Sequence, residues 1–303
     1  MSRLFETSSD NDYKALDYNV VGKVGLWAEK LQAIIEWMEE MGIPAGVSRY
    51  SRYYSYMKDF STNPSKRIDP HRIITMNDLE EIFDKANKAL IETAQIVMIY
   101  DAFKDECNCC FKDRLEKVVS GQDFYTNGVQ DTGRDFLYEL FIAAWFKSKG
   151  FRLDFEQLTD VVAEKNGISF FVECKRLRSS KKYEDRLKEG CQQLNKVENA
   201  DFRLAFIDIY NCISDKIKVY EYRSISEIKS AMDRIVNSFI SSVWPTTSQV
   251  LSKYSGQIDG VVYSAACNLY LNDTSANFYN GMNAHLYSEM SQKRFEQIID
   301  MIR

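Results

Sequence analysis

The stretch DVVAEKNGISFFVECKR, residues 160–176, decides how the middle of this chain folds. Two short runs rich in Val, Ile and Phe flank Asn166 and Gly167, and an Asn-Gly pair in that position is typical of a tight β-hairpin. Successive side chains of a strand point to opposite faces, so Glu173 and Lys175 share one face. That face either meets water or forms a site.

The elements on either side of this hairpin predict an α/β fold. RDFLYELFIAAWFKSKG has helical spacing and ends at a glycine, and FRLDFEQ after it is a short strand-like run. KKYEDRLKEGCQQLNKVENA is again helical, and RLAFIDIY is a buried strand. The order of helix, three strands, helix and strand predicts a mixed central sheet flanked by helices. Farther on we expect a helix around ISEIKSAMDRIVNSFISSV, a strand in GVVYSAACNLYL and a terminal helix in SQKRFEQIIDMIR.

The first part of the chain differs in character. VGLWAEKLQAIIEWMEEMG and MNDLEEIFDKANKALIETAQIVMIYDAF both repeat apolar residues at three- and four-residue steps, as amphipathic helices do. RYSRYYSYMKDFSTNPSKRIDPHR lies between them, and its two prolines predict a connector. We therefore divide the chain into a mainly α-helical N-terminal region, residues 1–130, and an α/β domain, residues 131–303.

Composition limits the classes of protein to which the chain can belong. Of its 303 residues, 45% are hydrophobic and 27% are charged, which is typical of a globular protein. The opening residues lack a signal-peptide pattern, and no run of eighteen apolar residues occurs. The seven cysteines are an odd number, which fits a reducing compartment better than a disulfide framework. These features predict a cytoplasmic protein with no membrane segment. The net charge of −5 gives no global sign of nucleic-acid binding, so the local distribution of basic residues matters.

The hairpin also predicts a cluster of ionic groups. Asp160 stands at the start of the first strand, and a hairpin brings it beside Glu173 on the second. Two carboxylates and the Lys175 ammonium then meet at one edge of the sheet. Carboxylate oxygens hold Mg²⁺, which contacts phosphate directly, so such a group suits phosphodiester hydrolysis. No catalytic histidine is required, and the chain has only His71 and His285.

This layout resembles the PD-(D/E)XK nuclease superfamily over roughly residues 131–210. That family has a restriction-endonuclease-like core of a helix, a three-stranded meander, a helix and a further strand. Asp160 matches the motif's Asp, and Glu173 and Lys175 match the ExK pair, whereas Thr159 stands in place of the motif's Pro. The resemblance implies a nuclease that depends on Mg²⁺, with Mn²⁺ as a substitute. Asp160, Glu173 and the backbone carbonyl of Cys174 would hold the metal, and Lys175 would serve the attacking water.

Two further residues gain a role from the resemblance. Glu139 interrupts a largely apolar surface of the helix at residues 134–150, where many family members carry an acid that supports metal binding. Gln193 flanks the apolar stripe of the next helix, where some members carry a glutamine near the site. Each of these two residues also has a purely structural interpretation. Glu139 is also consistent with a carboxylate at the edge of a core, and Gln193 with an ordinary surface residue.

A basic run leaves the predicted site directly. It contains Arg176, Arg178, Lys181 and Lys182, which are positioned to follow a phosphate backbone. A solvated face is the alternative for such a run. On the resemblance, DNA is favoured over RNA as substrate, with restriction or antiviral defence as the setting.

Three other functions agree with the same sequence features. The chain is alternatively an effector that cleaves RNA or tRNA, a catalytically inert module of the same fold that binds nucleic acid or protein, or a nuclease that a protein partner activates. Cleavage of a duplex would favour a homodimer, because one such site cuts one strand at a time.

Overall fold

The computed structural model describes residues 24–61, 76–124, 131–157, 159–217, 222–254, 257–271 and 275–286, together with Ile298 and Met301. These residues form an α/β fold in which helices flank a mixed sheet of six strands. The predicted fold class is confirmed at this level. The order of helix, three strands, helix and strand that the sequence predicted from residue 134 is also observed.

The strands lie in the sheet in the same order as in the sequence. The first three form an antiparallel meander, the third, fourth and fifth are parallel to one another, and the sixth returns antiparallel to the fifth. The strands are β1 (Arg152–Asp154), β2 (Val161–Lys165), β3 (Ile168–Arg176), β4 (Phe202–Asp208), β5 (Gly260–Leu271) and β6 (Ser275–Leu286).

Eight α-helices occur in the described part of the chain, four of them before residue 131. They are α1 (Val24–Glu40), α2 (Arg49–Ser61), α3 (Met76–Phe103), α4 (Cys109–Val118), α5 (Thr132–Ser148), α6 (Tyr183–Leu194), α7 (Tyr210–Ile213) and α8 (Ile225–Ser252).

The Asn-Gly hairpin is present and fixes the register of β2 against β3. Asn166 and Gly167 have φ values of 55° and 76°, the left-handed conformation that a two-residue hairpin turn needs and that Asn and Gly adopt most easily. Lys165 pairs with Ile168 across the turn, and the register runs on until Val161 pairs with Val172. One further step places Asp160 level with Glu173.

The two faces of the sheet are covered by different helices. Phe170, Val172 and Cys174 of β3 belong to an apolar core that also contains buried residues of α1 to α5. The other face packs against α6 and α8. Glu173 and Lys175 lie on this second face, where a Cβ added to Gly190 of α6 would lie 3.8 Å from the Glu173 Cβ and 3.7 Å from the Lys175 Cγ.

Buried ion pairs join the N-terminal helices to α5. Glu92 of α3 accepts hydrogen bonds from Arg49 of α2, at 2.9 Å, and from Arg134 of α5, at 2.5 Å. Arg134 also pairs with Asp131, the residue that caps α5. Because all four side chains are less than 10% exposed, the helices that contribute them are held in one arrangement.

The structure corrects three expectations about the elements. Residues 49–61, predicted as part of a connector, form α2, because Tyr50, Tyr53 and Met57 face the core at helical spacing. Strand β6 was not predicted. Helix α8 was expected to end near Val243, but it continues through Pro245 to Ser252. Of the predicted terminal helix, all but Ile298 and Met301 lies outside the described residues.

Within the described residues, no helix is both long and apolar enough to cross a membrane.

Candidate active site

The three motif residues meet where β2 begins beside β3. The Lys175 Nζ lies 2.9 Å from Glu173 Oε2, to which it donates a hydrogen bond, and 3.7 Å from Asp160 Oδ2. The Glu173 and Lys175 side chains are 1% and 6% exposed, whereas that of Asp160 is 19% exposed. Glu173 and Lys175 therefore form a buried ion pair, unlike a solvated surface pair, and Asp160 is the most exposed of the three residues.

Asp160 is oriented by the backbone of β3. Its Oδ2 accepts a hydrogen bond from the Cys174 N–H at 2.7 Å. In a strand the N–H and C=O of one residue point to the same side, so the Cys174 carbonyl also faces the Asp160 side. Pairing between β2 and β3 ends at Val161 and Val172, so the backbone of Cys174 lies beyond the last residues that pair with β2. Carboxylate and carbonyl oxygens thus converge at the end of the hairpin.

Glu139 reaches the same place from the opposite face of the sheet. It lies on α5, is half-buried, and interacts electrostatically with Asp160, Lys175 and Arg114. Burial, and then the Asp160 carboxylate, raise the pKa of Glu139 to about 8. The carboxylate that interrupts the apolar surface of α5 therefore belongs to this cluster.

Crowding of negative charge also affects Glu173 and Lys175. Burial and then the Asp160 carboxylate raise the pKa of Glu173 to about 7, although Lys175 acts in the opposite direction. Burial acts to lower the pKa of Lys175, but Asp160 and Glu173 outweigh it, so this pKa is raised. The Lys175 ammonium is thus charged and offsets part of the negative charge. Carboxylates with raised pKa values beside a buried ammonium are typical of functional sites.

The oxygen atoms present fit a magnesium ion. Among the described residues no group of three or more His, Cys, Asp or Glu side chains is arranged around one metal position. Mg²⁺ does not require such a group, since it keeps several waters and is commonly bound by one or two carboxylates. Asp160, Glu173 and the Cys174 carbonyl provide that smaller set of hard oxygen donors, with Glu139 nearby.

Gln193 lies on the side of α6 that faces the cluster. It follows Gly190 by three residues, and Gly190 contacts Glu173 and Lys175. Its Oε1 atom is buried without a hydrogen-bond donor, although the residue as a whole is half-buried. Its predicted role beside the carboxylates stays a prediction.

The four residues of the basic run differ in how far they are exposed to solvent. The Arg176 side chain is 10% exposed, lies 2.9 Å from the buried Asp208 carboxylate and donates a hydrogen bond to the Arg134 carbonyl. Arg178 is half-exposed, 3.8 Å from Asp135, and Lys181 and Lys182 are exposed. Arg178, Lys181 and Lys182 are thus the members of the run that solvent, or a phosphate backbone, can reach.

Sequence reasoning missed several residues around the cluster. Gly190 is one, and its signal was a glycine inside a helix, where the missing side chain allows close approach of the strand. Arg114 is another, since it donates to the backbone carbonyl of Asp160 from outside the region that carries the resemblance. Its signal was a basic residue at the edge of the apolar stripe of α4. Asp135 also contributes negative charge beside Glu139, and Arg186 in turn interacts electrostatically with Asp135.

Comparison of the chain with models of known protein families finds no match, and comparison with curated proteins finds no significant relative. Function is therefore inferred from the residues and their geometry.

Proposed function

We propose that this protein is a Mg²⁺-dependent nuclease that hydrolyses phosphodiester bonds, with a PD-(D/E)XK-like active site at the start of β2. The observation that carries the proposal is that carboxylate oxygens of both Asp160 and Glu173 lie within 3.7 Å of the buried Lys175 Nζ. The order of elements around it and its position at a strand edge agree with that proposal.

The residues of the site would bind the cation, serve the attacking water or contact the flanking phosphates. Asp160, Glu173 and the Cys174 carbonyl would bind the cation, and Glu139 would assist. When bound, Mg²⁺ supplies a Lewis acid that polarises the phosphoryl group and favours ionisation of water. Lys175 would orient the attacking water through its Nζ and stabilise the negative charge that develops on the phosphate. Arg178, Lys181 and Lys182 would contact the flanking phosphates.

DNA is the substrate that we favour, and this choice rests on the resemblance alone. Restriction or antiviral defence, and a homodimer for duplex cleavage, are proposals of the same kind.

Purified protein offered plasmid DNA and total RNA side by side tests the proposal. We expect one polymer to be cut with Mg²⁺ or Mn²⁺ and neither with EDTA. Asp160→Asn, Glu173→Gln and Lys175→Met should each lower the rate by at least about a hundredfold, as removal of a transition-state contact does. Glu164→Gln on β2, whose side chain forms an exposed ion pair with Arg152, is the matched control.

The outcomes separate the rival functions. Cleavage of RNA alone would identify an RNA-cleaving effector. Divalent-cation binding without cleavage of either polymer would indicate an inert or partner-activated protein. Absence of both binding and cleavage would contradict the proposed site.

A further inference from the structure

Arg114 connects the N-terminal helical region to the proposed metal site. It lies on α4, before residue 131, and is half-buried. One terminal nitrogen of its guanidinium donates to the backbone carbonyl of Asp160, and the other donates to the carbonyl of Phe155 at 3.4 Å. A single side chain thus joins both ends of the segment that leads from β1 into β2.

The position of this guanidinium is fixed by aromatic packing. It lies 5.8 Å from the centroid of the Phe155 ring, a cation–π distance. The Phe155 ring in turn packs against Phe103 of α3, at 5.4 Å, and Phe111 of α4, at 5.5 Å between centroids. Helices α3 and α4 therefore hold the segment through Phe155 as well as through Arg114.

These contacts restrain Asp160 from two directions. Arg114 binds its carbonyl, and the Cys174 N–H binds its carboxylate. Asp160 is more exposed than Glu173 and Lys175 and precedes the strand, so the β2–β3 ladder alone does not restrain it. Its proposed function as a metal ligand requires a fixed orientation, which partners of ligands commonly provide.

We propose that Arg114 is a positioning residue of the metal site, and that the site is incomplete without the N-terminal helical region that carries Arg114. This inference rests on the proposed function, because the ligand that it concerns is the divalent cation.

The test is the dissociation constant of Mn²⁺, measured by calorimetry for the full chain. We expect Arg114→Ala to raise it by about 10- to 100-fold, the effect typical of losing an outer-shell partner. Arg114→Lys keeps the charge and can reach one carbonyl at a time, so it should recover part of the affinity.

Two matched variants on α4 serve as controls. Lys112→Ala removes one positive charge from the exposed side of the helix. Val118→Ala removes buried apolar volume from the last turn of the helix and lowers stability at a residue that takes no part in the Arg114 and Phe155 contacts. Both should bind Mn²⁺ within about twofold of the wild-type protein, whereas a merely structural role for Arg114 would make Val118→Ala as harmful to Mn²⁺ binding as Arg114→Ala.

The outcomes distinguish this inference from the proposed function. Wild-type affinity in Arg114→Ala, with the wild-type protein binding Mn²⁺, overturns the role of Arg114 and leaves the nuclease proposal intact. A wild-type protein that binds no divalent cation overturns both. If Arg114→Ala does not fold, Arg114→Gln carries the same prediction, because its amide cannot span two carbonyls; wild-type affinity in that variant overturns the inference.

Discussion

At the scale of single residues, the site is a balance of buried charges. Lys175 is the ammonium that contacts both Asp160 and Glu173. Alternation along β3 correctly placed Glu173 and Lys175 on one face, but it gave no information on whether that face is buried. Burial depends on α6, whose Gly190 allows the helix to lie against both side chains. This contact joins β3 to the α-helix that follows it, and the pattern within β3 alone does not show it.

The raised pKa values predict how the metal-free protein responds to pH. Glu139 and Glu173 have pKa values of about 8 and 7 in the folded chain, above the ordinary value of 4.5. Between pH 4.5 and 8 the folded state therefore holds more protons than the unfolded state, and the free energy of unfolding should fall as pH rises. Urea denaturation in EDTA measures this slope, and Glu139→Gln with Glu173→Gln should flatten it. An unchanged slope in that double variant would contradict the assignment.

Removing the Lys175 ammonium should lower the free energy of unfolding most at high pH. Lys175→Met leaves the carboxylates without their buried partner, and breaking such a pair commonly costs about 3–5 kcal/mol. We expect a loss near the lower end at pH 8, since Asp160 is partly solvated, and a smaller loss at pH 5.5, where carboxylates protonate. Adding Glu173→Gln should restore part of the stability at pH 8. A loss that is the same at both pH values would show that packing, and not charge, is the cause.

At the scale of elements, local signals identified the hairpin, while two other elements were missed. Asn166 and Gly167 specify their turn by conformation alone. Helix α2 was assigned to a connector because two prolines follow it in the same stretch, and its core-facing Tyr50 and Tyr53 stand among further tyrosines. Strand β6 is rich in Asn and other residues that strands disfavour, and it forms because twelve residues pair with β5. Such pairing leaves little trace in a single sequence.

The joint between α2, α3 and α5 depends on one carboxylate. Burial acts to raise the pKa of Glu92, but Arg49 and Arg134 outweigh it, so this pKa is lowered and the group is ionised. Glu92→Gln leaves two buried guanidinium groups without this partner, and we expect the free energy of unfolding to fall by about 3–5 kcal/mol. Glu81→Gln, in an exposed pair with Lys85 on the same helix, should cost about 0.3–0.5 kcal/mol. Equal losses in urea denaturation would contradict the role of the joint.

At the scale of the whole molecule, the N-terminal helices and the sheet share one core. Buried residues of α1 to α5 and of one face of the sheet form a single apolar cluster, whereas α6 and α8 cover the other face. The boundary at residue 131 stays a prediction, because a change in sequence pattern reveals the type of element and not which surfaces it covers.

A fragment tests that boundary. Residues 131–303 alone would expose the apolar side of α5 that α3 and α4 cover in the full chain, and the part of β5 that α3 covers. We expect the fragment to bind a hydrophobic dye and to unfold without a cooperative transition, while the full chain unfolds cooperatively. A fragment that unfolds cooperatively, by both circular dichroism and fluorescence, would contradict the shared core and show that the boundary separates two folding units.

The most direct test of the central claim is the initial rate at which supercoiled plasmid is cut as Mg²⁺ is titrated. The wild-type protein should show no cutting in EDTA and a rate that rises and saturates with Mg²⁺, and Glu173→Gln should lose it while Glu164→Gln keeps it. Cutting that is independent of Mg²⁺, or equal in Glu173→Gln and the wild-type protein, would contradict a metal site built from Asp160, Glu173 and Lys175.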